Sequence, residues 1–398
     1  MQELLSGISL LILVVQVPAV FVLLSRLLKG PFRQPPIQPQ SPTPEILGNV
    51  SVVVPTLNEV ERISPLLAGL SKQSYEVREV IVVDSNSQDG TRDLVKATIE
   101  KDPRFRLITD DPLPKNWVGR PWALHNGFLN TDSESEWFLG MDADTQPAPG
   151  LVAGLVKAAS ALNYDLVSLS PQFILQYPGE SLLQPALLMT LLYRFDPAGV
   201  NAQTPERVMA NGQCFLCRRS VLERVNGYTS AKSSFCDDVT LARQIAATGF
   251  KVGFLDGAKV LKVRMYEGAA ETWKEWGRSL DLKDASSRAQ TWGDLWLLTS
   301  VQGLPLIIVS LILLLLTLSP PPSLSPSPPL LLLSVNLFLL LIRVGMLLAI
   351  APSYDFTQNK GGWLFWLSPI ADPLAVLRIF LSALRTPRQW RGREYGIR

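Results

Sequence analysis

The chain has 398 residues, 47% of them hydrophobic and only 18% charged, where an ordinary soluble protein carries about 25% charged residues. Lys and Arg number 37 against 35 Asp and Glu, a net charge of +2 that leaves no electrostatic footprint for nucleic acid. This composition excludes disorder, a collagen-like fibre and a small disulfide-stapled domain, and three cysteines, Cys214, Cys217 and Cys236, make no disulfide framework.

Leu4 to Ser25 is an uncharged apolar run, long enough to cross a hydrocarbon core of about 30 Å. It lacks the basic flank and the small-residue cleavage site of a removable signal. Arg26, Lys29 and Arg33 follow it, so the positive-inside rule predicts an external N-terminus and a cytoplasmic remainder. Residues 1–29 are therefore expected to be a transmembrane helix. Residues 30–48, with prolines at 31, 35, 36, 39, 42 and 44, read as an extended linker.

Residues 49–290 alternate strand and helix patterns. VSVVVPT (50–56) and EVIVVDS (79–85) are continuous β-branched runs, the pattern of strands buried on both faces. A helical spacing of Ile63, Leu66, Leu67 and Leu70 separates them, and a second helix is expected over 91–100. RFRLIT (104–109), WFLGMDAD (137–144) and YDLVSLSP (164–171) read as further strands, with helices from about Arg120 and over 149–162. This order predicts an α/β domain with a mostly parallel, Rossmann-like sheet covered by helices on both faces. Met209–Cys217 is expected to be a strand and 218–227 a helix closed by Gly227. Ser181–Phe195 is too apolar for a surface helix, and fits either a core helix or one lying at a membrane interface.

Leu295–Leu318 and Leu330–Ile350 read as two membrane spans within 295–350, separated by PPPSLSPSPP (320–329), which cannot be helical. Arg343 falls inside the second span, either snorkelling to the interface or meeting a buried polar group. Residues 351–398 contain a third apolar stretch, Trp363–Leu384, interrupted by Pro369, Asp372, Pro373 and Arg378 and followed by Arg385, Arg388, Arg391, Arg393 and Arg398. A full span there would put those arginines outside, so interfacial or re-entrant helices with a basic cytoplasmic tail are expected.

Ligands of open α/β sheets collect at the carboxyl ends of strands, and Pro55, Asp84 and the Asp142/Asp144 pair all fall there. An acid pair one residue apart can divide its work between a ribose hydroxyl and Mg²⁺ or Mn²⁺, which take oxygen ligands and share them with substrate phosphates. Alone, such a pair reads as a solvated loop. Its place after a buried strand, downstream of two other polar strand ends, favours a site.

Val54-Pro-Thr-Leu-Asn-Glu59, the segment VVDSNSQDGT (82–91) and Asp142-Ala-Asp144 together resemble the nucleotide-sugar half of the family 2 inverting glycosyltransferases. Gly119-Arg-Pro-Trp-Ala-Leu-His-Asn-Gly127 resembles that family's G-K-x-x-A-L-N-x-G, with Arg120 in place of lysine. Cys236-Asp-Asp-Val-Thr-Leu241 is similar to its T-E-D-x-x-L, which carries the catalytic base. The resemblance covers about residues 50–280 and implies a GT-A fold. It further implies that Pro55, Thr56, Glu59 and Asp84 hold the base and ribose, that Asp142 assists at the nucleotide and that Arg120 meets phosphate charge. Asp144 would bind the metal, Asp238 would be the base and Asp237 would precede it. Such a transfer does need a carboxylate to take the acceptor's proton and a cation to stabilise the departing diphosphate. Asp237 and Asp238 also fit an N-cap pair for the helix that ends at Gly249.

Members that extrude polymers or glycosylate ceramide carry Q/R-x-x-R-W after the base. Here Thr272-Trp-Lys-Glu-Trp-Gly-Arg-Ser279 keeps tryptophan and arginine out of that order, which argues against a polysaccharide synthase. It leaves Trp276 and Arg278 as acceptor-side or diphosphate-side residues. The single histidine, His125, reads as structural. Cys214-Phe-Leu-Cys217 lacks the further ligands of a zinc site and reads as strand.

Trp117-Val-Gly119, Val263-Arg-Met-Tyr266-Glu-Gly268 with Trp273 and Trp276, and Trp390-Arg-Gly-Arg-Glu-Tyr395 resemble segments of bacterial carotenoid glycosyltransferases (the diaponeurosporenoate, hydroxychlorobactene and myxol 2'-O-glycosyltransferase group). The last segment also reads as a basic-aromatic membrane anchor. The expectation is an integral membrane enzyme, with its catalytic domain on the cytoplasmic side of a bacterial inner membrane. It would use a nucleoside diphosphate-sugar of the UDP-glucose or GDP-fucose type, with Mg²⁺ or Mn²⁺, to glycosylate a lipophilic hydroxylated acceptor, most of all a carotenoid. A polyprenyl-phosphate or sphingolipid acceptor is the alternative, and a non-catalytic membrane assembly platform is the rival from another class.

Overall fold

A computed structural model describes residues 2–202, 204–276, 280, 282–318, 327–384, 389–390 and 393–394. Arg278, most of the proline-rich break at 320–329 and half of the segment 390–395 (Arg391, Gly392 and Tyr395) lie outside the described residues. The chain divides into two units: an α/β unit of Phe32–Ile174, Ala198–Met265 and Pro387–Arg398, and a helical unit of Met1–Pro31, Leu175–Pro197 and Tyr266–Thr386.

In the α/β unit the strands are β1 (Val50–Thr56), β2 (Val77–Asp84), β3 (Phe105–Thr109), β4 (Trp137–Met141), β5 (Thr145–Pro147), β6 (Leu166–Ser170), β7 (Gln172–Ile174), β8 (Cys214–Arg218), β9 (Val252–Asp256) and β10 (Leu261–Val263). Seven form one sheet in the order β3-β2-β1-β4-β8-β6-β9. Every pairing is parallel except those of β8, which runs antiparallel to both β4 and β6. Strand order reverses between β1 and β4, the topological switch point at which such sheets bind ligands. Outside the main sheet, β10 pairs antiparallel with β5 and parallel with β7.

Alternation along the strands explains the unbroken hydrophobic runs. Val50, Val52 and Val54 join a core with Leu66, Leu67, Leu151 and Leu155 on one face. Val53, Ile81 and Val83 join Ala123, Leu124, Leu241 and Ile245 on the other. Helix Gly119–Leu129 lies so close to β1 that a Cβ on Gly127 would stand 2.3 Å from Val53 Cγ1, which requires glycine there. Cys214 and Cys217 also divide between the two cores, so their side chains cannot share a metal. Both thiols are buried, and burial raises their pKa.

The proline-rich segment expected to be a free spacer is extended but fastened to the domain. Gln34 N donates to Gly199 O (2.8 Å), Ile37 N to Asp256 O (2.8 Å) and Gln40 N to Gly150 O (3.1 Å), and Ile37 is buried in the first core. The close approach depends on glycines: a Cβ on Gly154 would stand 2.4 Å from Gln38 O, and one on Gly150, whose φ is +78°, 2.6 Å from Gln40 O.

The helical unit contains Gln2–Leu27, Pro178–Arg194, Arg288–Leu298, Pro305–Leu318, Pro328–Ile350 and Asp372–Leu384. Among the described residues, Glu3–Phe32, Pro328–Ser353 and Gly362–Leu384 are long and apolar enough to cross a membrane, and Arg288–Gly303 with Pro305–Leu318 adds a fourth segment bent by 42°. Gly362–Leu384 thus has the dimensions of a span, where the sequence suggested interfacial or re-entrant helices. Its charged side chains find polar partners within the unit. Arg343 and Asp372 form a buried ion pair (Nε–Oδ2 2.7 Å), with Arg343 Nη2 also donating to Ser368 Oγ and Gln302 Nε2 to Asp372 Oδ1. Arg378 donates to the Trp273 and Lys274 carbonyls. Arg343 therefore does not snorkel. Gln16 and Asn336 exchange side-chain amide bonds of 2.8 and 3.0 Å. Helix Pro178–Arg194, which contains most of the segment left open between core and interface, is buried along most of its length: it is a core helix.

Candidate active site

The carboxyl ends of β1 and β2 are knitted together before any ligand arrives. Thr56 pairs with Asp84 in register, and the buried Asp84 carboxylate accepts from Thr56 Oγ1 (3.3 Å) and Ser87 N (3.0 Å), with Arg92 Nε at 3.6 Å. Asn58 and Asn86 take left-handed backbone conformations (φ 56° and 68°), which asparagine tolerates in turns. The turns interlock: Asn58 N donates to Ser87 Oγ, Glu59 N to Thr91 Oγ1 and Gln88 N to Asn58 Oδ1. Glu59 and Thr56 are buried and Pro55 half-buried. Pro55, Thr56, Glu59 and Asp84 are thus brought together as one rigid edge.

Asp142 and Asp144 follow β4, both half-buried. Because β8 runs back along β4 with Cys214 opposite Met141, the preceding residues Asn211, Gly212 and Gln213 lie beside Asp142, whose N donates to Gln213 O (3.4 Å). Arg120, in the first turn of helix Gly119–Leu129, enters this corner. Its Nε donates to Asp142 Oδ1 (2.9 Å), Nη2 to Gly212 O (2.8 Å) and Nη1 to Asp237 Oδ2. Burial alone would lower the pKa of Arg120, but Asp142, Asp237 and Asp238 raise it, so the guanidinium stays charged.

Asp237 and Asp238 open helix Asp237–Ala247, and Cys236 is its N-cap; the two acids occupy the first turn and are not a cap pair. Asp237 is buried against Arg120. Asp238 is half-buried, with Oδ2 accepting from Gly212 N (2.7 Å) and Oδ1 from Val239 N (2.8 Å). Burial raises the pKa of both carboxyls, and the Arg120 charge opposes the rise. The structure therefore gathers Arg120, Asp142, Asp237 and Asp238 at one corner. Sequence reasoning missed Gly212 there; the Asn211-Gly212 dipeptide before a strand was the available signal, since that pair marks a tight turn.

Trp276 sits in the helical unit, buried, with its ring 6.3 Å from that of Tyr266. His125 stacks on Trp117 at 5.1 Å between centroids, its Nδ1 accepts from Tyr228 N (3.4 Å), and burial lowers its pKa. It is a neutral packing residue. Among the described residues no group of three or more His, Cys, Asp or Glu is placed to hold a metal.

The family model described as Glycosyl transferase family 2 matches residues 51–225. A 4,4'-diaponeurosporenoate glycosyltransferase of Staphylococcus haemolyticus is 26% identical over 66% of this chain and 70% of its own. An undecaprenyl-phosphate mannosyltransferase of Micrococcus luteus is 30% identical over 27% of this chain, which spans under half (43%) of that relative. A mannosyltransferase structure from Pyrobaculum calidifontis superposes with a TM-score of 0.50 at 20% identity, over 96% of this chain and 98% of its own, a likeness of fold. Residues 51–225 thus match the family 2 glycosyltransferase model on a doubly covered sheet of GT-A type, and the protein is a glycosyltransferase.

Proposed function

We propose that this glycosyltransferase moves a sugar, with inversion, from a nucleoside diphosphate to the hydroxyl of a membrane-dissolved lipid, and that the lipid is a hydroxylated carotenoid. The observation that carries the reading is the Asp238 carboxylate, half-buried and fixed by two backbone amides at the switch-point corner. A carboxylate so held can take the proton of an attacking hydroxyl, and direct attack opposite the leaving group inverts the anomeric centre without a protein nucleophile. The interlocked edge of Pro55, Thr56, Glu59 and Asp84 would seat the base and ribose, with Asp142 beside them.

Asp144 supplies one half-buried carboxylate, a hard oxygen ligand suited to Mg²⁺ or Mn²⁺, which commonly bind through one or two carboxylates together with substrate phosphates. The ion would neutralise charge on the diphosphate leaving group. The long apolar helices support a membrane location for such an enzyme, where a lipophilic acceptor dissolves. The carotenoid assignment draws support from the relative that aligns over two thirds of this chain and is named for a carotenoid acid. The polyprenyl-phosphate relative aligns over a much shorter stretch.

The test is turnover in membranes holding the full chain, with a panel of UDP- and GDP-sugars and Mn²⁺, with and without a hydroxycarotenoid. A sugar-sized mass gain on the carotenoid is expected. Donor consumption with a mass gain on undecaprenyl phosphate instead would move the acceptor class. Asp144→Ala is expected to weaken Mn²⁺-dependent nucleotide binding at least about tenfold, since outer contacts to a metal alone are worth about 10–100-fold. Titration of nucleotide with and without Mn²⁺ checks this, and an unchanged affinity would remove Asp144 from the metal role.

A further inference from the structure

The geometry points to Arg120 as a positioning residue for the base and not a ligand for donor phosphate: through the backbone of Gly212 it fixes the orientation of Asp238. This rests on the reading of Asp238 as base. Gly212 is held through both of the peptide groups that flank its Cα, its C=O accepting from Arg120 Nη2 at 2.8 Å and its N–H donating to Asp238 Oδ2 at 2.7 Å. The same guanidinium binds Asp142 through Nε and Nη2 and Asp237 through Nη1. Each of its three nitrogens is therefore committed inside the protein, and its side chain is only 13% exposed.

Only a planar fork can serve three acceptors set around it in this way. A lysine ammonium is a point charge on a flexible stem and could neutralise the acids without fixing the peptide. Gly212 completes the device, because a Cβ there would stand 2.2 Å from Arg120 Nη2. A side chain at 212 would push the guanidinium off the carbonyl while leaving its charge in the corner. The second attachment of Asp238, to Val239 N, belongs to its own helix. The Gly212 bond is thus the one that ties the carboxylate to the turn leading into β8.

The experiment compares Arg120→Lys, Gly212→Ala and the double variant in the full-length protein. Donor affinity is measured by nucleotide titration, and kcat and KM by turnover. Positioning predicts that Arg120→Lys lowers kcat about 10–100-fold with nucleotide Kd within about threefold of wild type. A misplacement of about 1 Å can cost about 10²-fold. Gly212→Ala is expected to give the same pattern, and the double variant to be little worse than either single one, as for residues acting as a unit. Phosphate binding predicts the opposite split for Arg120→Lys, with Kd changed tenfold or more, or kcat within twofold of wild type, and either result overturns the proposal. Additive losses in the double variant would also overturn it. Failure of the base assignment shows separately, as turnover surviving in Asp238→Asn. Unfolding midpoints of the three variants identify any loss that is only structural, and a kcat loss tracking the folded fraction counts against positioning.

Discussion

Asp238→Asn is expected to lower transfer by roughly 10²–10⁴-fold, the usual contribution of a positioned general base, while nucleotide affinity stays near that of wild type. The substitution keeps size and shape, and the amide oxygen can still accept from Gly212 N. What it removes is a basic oxygen, needed chiefly in the transition state, so the loss falls on kcat and on kcat/KM alike. A variant with half of wild-type turnover would end the assignment. The wild-type pH profile offers an independent check. Burial raises the pKa of Asp238, and neither Arg120 nor its two backbone hydrogen bonds fully reverses this. A base acts only when deprotonated, so kcat/KM should fall as pH drops through that raised pKa, with an acid limb above the ordinary carboxylate range near 4.

The second large effect lies in the helical unit. Arg343→Met alone is expected to destabilise that unit by about 3–5 kcal/mol, because it leaves Asp372 as a buried charge without its partner. The side chains of the pair are 3% and 4% exposed, so water cannot take over. Exchanging both residues, Arg343→Met with Asp372→Leu, removes both charges together and should recover most of the loss, since apolar replacements of buried pairs are often neutral or stabilising. Thermal unfolding of the purified protein in one detergent, compared across the two singles and the double, measures the coupling. A double variant as unstable as the sum of the singles would mean that the two charges are solvated separately.

Much of the domain could be read from the chain because its strands are covered on both faces. The first five residues of β1 (Val50–Val54) and nearly the whole of β2 and β4 are buried, and that forces unbroken apolar runs a reader can find. The three-residue strands β5, β7 and β10 escaped, since three residues show no period. The reversed direction of β8 also left no mark, because burial alternates identically in a parallel or antiparallel strand. At the site, Asp84, Asp142 and Asp144 were visible as motifs at strand ends, and Asp237 and Asp238 as an acid pair opening a helix. Their mutual bonding was not: Arg120 and Asp237 are 117 residues apart, and Arg120 and Gly212 are 92. Arg120 therefore looked like a phosphate ligand, when its nitrogens are occupied by two carboxylates and a carbonyl. Arg343 was similarly ambiguous until Asp372 was seen against it.

The fastened proline-rich segment alters where the catalytic domain should be considered to start. By composition, residues 32–41 resemble a tether that a protease would cut and that a soluble fragment could omit. Their backbone amides at Gln34, Ile37 and Gln40 are nonetheless spent on the domain, and Ile37 fills part of its core. A fragment begun at Val50 would expose the glycine surfaces at 150, 154 and 199 that admit this segment, and would lose a buried side chain. One begun at Phe32 would carry its own cover, and its amides at 34, 37 and 40 would exchange with solvent as slowly as those of the strands beneath them.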